Sequence, residues 1–277
     1  MTVDAPGALS AGLLVAALAV LAVTVSGRVP AGRRPPLWVA CGLFAAAGCT
    51  LLMDVVGLLF GQGVDSWFGA AVHALGLAGA VRTAVAAGRE PGRERAAVPV
   101  RPGRWTGYVG VVSFLPYIAM KLHWALGGTF AGVRGDEVLA ASERNGASGL
   151  WLTLEWWGLD GTVLLALAGI LLLFCLLRPW GPRLPRWLVL TPALIGAGTL
   201  VPYGLLGLGY LVLAQAGVVT VRTGDFHSTG AVLLVGWIGF AAFAGYGVAL
   251  LSATRWYWRR TRPGAGAGAV RPPRGAR

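Results

Sequence analysis

The side chains with the most chemical potential lie in one apolar stretch, residues 113–128, SFLPYIAMKLHWALGG. It holds Pro116, Tyr117, Lys121, His123 and Trp124, and Lys121 is the only lysine in a chain whose other cations are arginines. An ionisable group in apolar sequence is costly to bury. It marks either a paired charge or a site that handles an ion, a proton or a polar ligand. On a helix, Ser113, Tyr117, Lys121, Trp124 and Gly128 follow one another at three- and four-residue intervals, which places them on one stripe. That stripe is expected to face the interior, where Lys121 needs a carboxylate. Asp54, Glu155 and Asp160 are the carboxylates set in apolar sequence, and Asp160 or Asp54 is the preferred partner. The candidate polar cluster is therefore Asp54, His73, Lys121, His123, Glu155 and Asp160. Two plainer roles compete with a ligand or proton site. A salt bridge can merely fix helix packing, and a lysine can snorkel to the membrane surface.

Other chemistry is sparse. Gly146, Ala147, Ser148 and Gly149 resemble the serine motif of rhomboid intramembrane proteases, and His227, expected on the same side of the membrane, is the candidate base. The stretch that follows, WLTLEWWGLD, is bulky and acidic, and no upstream histidine–asparagine pair offers an oxyanion hole. Ser148 is therefore expected not to be a nucleophile. Cys41, Cys49 and Cys175 fall in apolar runs without CxxC or zinc spacing and read as small buried hydrophobes. No P-loop, metal motif or paired-carboxylate signature occurs, so no cofactor and no metal are expected.

The elements that position these residues are membrane helices. The chain has 277 residues, 56% hydrophobic and only 12% charged, where a soluble domain carries roughly 25% charged residues. A spanning helix needs roughly 20 apolar residues. Seven stretches qualify: 7–26, 37–60, 66–85, 105–126, 149–177, 187–214 and 229–253. The predicted fold is an all-α polytopic bundle over residues 1–254, with a basic, Gly/Pro-rich and disordered tail over 255–277. In the long connection after residue 126, Asp136 is expected to cap a short surface helix over 137–144, ended by Asn145 and Gly146. Pro116 and Pro202 are expected to kink their helices. Each is followed by tyrosine, a faint sign of an internal repeat.

The net charge of +12 has a nucleic-acid look until the arginines are located. They cluster between apolar runs. With seven spans, 19 of them fall on one side and three, Arg134, Arg144 and Arg222, on the other. The positive-inside rule then sets the N-terminus outside and the C-terminus in the cytoplasm, and no nucleic-acid partner is implied. Trp256, Trp258 and Trp180 fit an inner interfacial belt; Trp67, Trp151 and Trp124 fit an outer one. At a rise of about 1.5 Å per residue, every buried ionisable group falls in the outer half of its helix, Lys121 about 7 Å from the centre. That asymmetry implies a polar cavity toward the outer face. Arginine in place of lysine, with abundant Ala, Gly, Val and Leu, suggests a GC-rich bacterial genome, hence a bacterial plasma membrane.

The run Lys121 to Gly128, KLHWALGG, resembles a signature of uncharacterised actinobacterial multi-pass membrane proteins grouped as a domain of unknown function. The resemblance implies a helical membrane fold and no activity. Gly127 and Gly128 are expected to end the helix and Trp124 to anchor it at the outer interface. The leading functional expectation is a binding, transport or accessory role built on the outer cavity. The alternative is a membrane-embedded enzyme acting on a lipid or peptide, with Glu155 or Asp160 as acid/base.

Overall fold

The structure is a computed structural model that describes residues 34–88, 104–144, 146–147 and 149–261. The first predicted span, the central arginine-rich loop, Ser148 and the tail beyond residue 261 lie outside the described residues. Helix α1 (Arg34–Gly48) opens on Pro35 and Pro36, where a missing N–H is harmless because first-turn donors have no intrahelical acceptor. After a break at Cys49 and Thr50 comes α2 (Leu51–Leu59). A turn with Gly61 and Gly63 at positive φ leads to α3 (Trp67–Gly88). Helix α1 packs on α3 so closely that a Cβ on Gly48 would lie 2.6 Å from the backbone nitrogen of Leu77.

Helix α4 (Arg104–Ala125) carries the predicted stripe, with Pro116 inside it. Gly127 at φ +81° closes its C-terminus, with Gly128 N–H donating to the His123 carbonyl and Gly127 N–H to that of Trp124. This left-handed cap is the expected role of the two glycines. A small hairpin that the sequence reading missed follows: β1 (Thr129–Phe130) pairs antiparallel with β2 (Val133–Arg134). Its two-residue turn, Ala131 and Gly132, has positive φ at both positions, as the tight hairpin turn requires. Helix α5 (Gly135–Arg144) begins two residues before the predicted start. Asp136 is not its cap. It lies in the first turn and pairs with the Arg134 guanidinium, while Glu137 accepts the Arg134 backbone N–H.

The predicted fifth span is not one helix. It is α6 (Gly149–Trp156) and α7 (Gly161–Leu177), set at 94° to each other. One turn of 3₁₀ helix, Gly181–Arg183, joins α7 to α8 (Arg186–Gln215), which contains Pro192 and Pro202 without a break. Helix α9 (Thr229–Arg260) is capped by Ser228. It runs on through 255–260, which the sequence reading assigned to the tail. Trp256 and Tyr257 are buried there because they continue the inward stripe of Leu250, Ala253 and Thr254.

The core forms where α4, α7, α8 and α9 meet. Phe114 stacks on Tyr246 at 4.2 Å between ring centroids, and Tyr117 and Tyr203, the two post-proline tyrosines, converge on Phe243. Among the small residues of α8, Gly204 admits the Ala244 backbone, whereas Gly209 faces open space. Large apolar side chains cover the outside of the bundle instead, including Val39, Leu75, Val112, Leu171 and Val212. A surface this apolar suits lipid rather than water. Four described stretches are long and apolar enough to cross a membrane, Leu37–Leu59, Trp67–Ala87, Arg186–Gln215 and Thr229–Arg260, and the bent pair α6–α7 would make a fifth. Helix α4 has the length but, with Arg104, Lys121 and His123, is less apolar than these. The protein is thus a helical bundle with the apolar helices of a membrane protein.

Candidate functional site

The polar centre forms where the C-terminus of α4 meets the break between α6 and α7. Helix α6 ends in a Schellman cap: Gly158 has φ +72°, its N–H donates to the Glu155 carbonyl, and Leu159 N–H donates to that of Leu154. Two residues later Asp160 caps α7. Its Oδ1 accepts the backbone N–H groups of Thr162 at 2.7 Å and Val163 at 3.2 Å, and also the Thr162 hydroxyl. Lys121 Nζ lies 2.8 Å from the other oxygen, Oδ2. Tyr117, one turn before Lys121 on the same stripe, donates its hydroxyl to Thr162 Oγ1 at 3.0 Å. The side chains of Lys121 and Asp160 keep only 18% and 7% of their exposure. Both carboxylate oxygens are therefore satisfied, while the ammonium, which has three donors, uses one on Asp160.

Glu155 sits beside this pair on α6. Its Oε1 accepts the Trp151 indole N–H at 2.8 Å and the Ser142 hydroxyl at 3.4 Å, and its Oε2 is buried with no partner. Two cavities adjoin at Trp124 and Val138. One, of about 400 Å³, is lined by Lys121, Ser142, Trp151, Glu137 and Asp225 among others. The other, of about 370 Å³, is lined by Glu155, Trp156, Asp160 and Asp136 among others. The hairpin, α5 and the loop at Phe226 form a cap over this end. Trp124 anchors it. The indole is buried rather than interfacial, donates to the Val133 carbonyl at 3.1 Å and packs on Phe130 and Phe226. Arg144 ties α5 to Asp225 in the loop before α9 at 2.9 Å, and His227 approaches Glu137 at 3.6 Å.

The six residues expected to form one cluster separate into three groups. Lys121 lines one of the two adjoining cavities, and Glu155 and Asp160 line the other. Asp54 instead accepts a 2.6 Å hydrogen bond from, or donates one to, His73 Nδ1 across the α2–α3 hairpin. Among the described residues, no hydrogen bond or ion pair joins that couple to Lys121. His123 is exposed, and its Nε2 meets the Thr129 carbonyl at 3.2 Å, at the foot of the hairpin. Trp151 was expected in an interfacial belt. Its ring packs edge-on against Phe60 at 5.0 Å, and its N–H serves Glu155. Trp256 was likewise expected at an interface and is buried. Sequence reasoning missed Thr162, Ser142 and Trp151 as partners. The triplet Asp160, Gly161, Thr162 after Gly158 was the available signal, because Asp followed by Thr two residues later is a helix start.

Among the described residues no three His, Cys, Asp or Glu side chains are grouped to hold a metal ion, and the three cysteines are free thiols. The chain is matched by no family model, no curated protein and no solved structure.

Proposed function

We propose that this is a multi-pass protein of the bacterial plasma membrane that binds a small polar ligand in a capped chamber at its outer face. In this reading seven helices span, the broken pair α6–α7 counting as one, with the N-terminus outside and the C-terminus in the cytoplasm. Helix α7, about 25 Å long at 1.5 Å per residue, crosses most of a hydrocarbon core of about 30 Å. Helix α6, nearly perpendicular to it, lies along the surface as part of the cap.

The observation that carries the reading is the Lys121–Asp160 pair, largely buried yet lining open volume. A pair serving only to lock helices has no need of two adjoining cavities. Here Lys121 has donors to spare and Glu155 an acceptor to spare, the complement of a ligand with both an acceptor and a donor. Cavities of about 400 and 370 Å³ fall in the range of small-molecule sites.

Accessibility in cells tests it. In a cysteine-free background, Gln62→Cys and Ser142→Cys are expected to react with a membrane-impermeant maleimide added outside. A cysteine placed in the 89–103 segment is expected to react only after permeabilisation. External labelling of that segment refutes the orientation. Failure of both chamber positions to label refutes an outward-opening chamber.

A further inference from the structure

We propose that the end of the bundle opposite the chamber binds the phosphate headgroup of an anionic phospholipid, held by Arg186 and Arg260 where the 3₁₀ turn, α8 and α9 meet. The inference rests on the membrane reading above.

The local sequence is one-sided in charge. Residues 178–187 and 254–261 contain Arg178, Arg183, Arg186, Arg255, Arg259 and Arg260 and not one carboxylate. Among the described residues none of these arginines has an ion-pair partner, whereas the acids gather at the capped end. The site is also built rather than merely basic. Tyr257 is buried and donates its hydroxyl to the Gly181 carbonyl at 3.3 Å, fixing the end of α9 on the turn. Arg186 lies over the Trp258 ring at 4.9 Å and Arg260 over the Trp256 ring at 4.6 Å. A guanidinium held over an indole face by its charge keeps N–H donors for a second partner, and those donors match the oxygens of a phosphate. Trp256 and Trp258 stand on either side of Tyr257 in α9, so both guanidiniums lie beside the helix end that Tyr257 fixes on the turn.

One donor already lacks a partner. Arg186 Nε is buried with no acceptor, and an unsatisfied buried donor is unfavourable until something fills it. The surroundings select a lipid over a free anion. Trp187 and Leu188, which follow Arg186 directly, are exposed and offer apolar contact to acyl chains, with tryptophan at the level of headgroups. Basic pockets between helices on the cytoplasmic side are the usual place for anionic headgroups.

The test uses full-length protein reconstituted in phosphatidylcholine with phosphatidylglycerol and counts co-retained lipid by native mass spectrometry. Each arginine at an anionic surface is worth roughly fivefold in binding. The Arg186→Gln, Arg260→Gln protein is expected to lose about 25-fold in phosphatidylglycerol preference. The double Arg→Lys variant should keep most of it, and Arg222→Gln, at the capped end, should keep all of it. If the double Gln variant does not purify as a monodisperse protein, Arg260→Gln alone, on an exposed residue, reads a loss of roughly fivefold. An unchanged preference in the Gln variants overturns the proposal, and so does an equal loss in Arg222→Gln. Release of the protein from membranes by alkaline carbonate would instead overturn the membrane reading itself.

Discussion

Replacing Lys121 with methionine isolates the central ion pair. Methionine keeps the length and apolar stem of lysine and removes the ammonium, so Asp160 loses the partner on Oδ2 and keeps the three donors on Oδ1. Breaking a fully buried pair costs about 3–5 kcal/mol. Lys121 retains 18% of its exposure and Asp160 keeps its backbone donors, so the lower end applies, about 3 kcal/mol. Asp160→Asn in the same background removes the orphaned charge and keeps the helix cap, since asparagine caps as well as aspartate. The double variant should recover half or more of the loss, a coupling of about 1–3 kcal/mol. Asp54→Asn in that background should recover nothing, because Asp54 is engaged by His73. The assay is thermal unfolding in detergent, read as the fraction that stays monodisperse on gel filtration after heating. If Lys121→Met matches the parent protein, the pair contributes nothing to the fold. If Asp54→Asn compensates as well as Asp160→Asn, the pairing itself is wrong.

Two further changes probe the frame around the site with the same heating assay. Gly48→Ala puts a Cβ 2.6 Å from the Leu77 backbone nitrogen and must push α1 off α3. It should destabilise by about 1–3 kcal/mol, while Gly42→Ala, with nothing within 4 Å, should be neutral or slightly stabilising. Trp124→Phe keeps the ring contacts and orphans the Val133 carbonyl. It should cost about 1–2 kcal/mol and speed proteolysis between residues 129 and 134.

What the sequence disclosed and what it hid divide along physical lines. The inward stripe on α4 was legible because three- and four-residue spacing is the helix's own period, and it brings Tyr117, Lys121 and Trp124 inward together. The hairpin was hidden because two-residue strands have no periodicity to show. The last turns of α9 were hidden because arginines at 255, 259 and 260 look like a tail. The buried spacing of Leu250, Ala253 and Tyr257 was the stronger signal. The bend between α6 and α7 was hidden by averaging, since a long apolar window absorbs one glycine and one aspartate without losing its character.

That bend explains why Asp160 can be buried at all. In a continuous helix the N–H groups of Thr162 and Val163 would be committed to carbonyls four residues earlier, and the carboxylate would have Lys121 alone. At a helix start those donors are orphans in need of an acceptor. Asp160 takes both and the Thr162 hydroxyl on one oxygen, leaving the other for Lys121. The desolvation of the charge is thus offset in part by the backbone, and the ammonium does not have to spend all its donors on Asp160. A break in the helix is what lets the same lysine both complete a structural pair and face an open cavity.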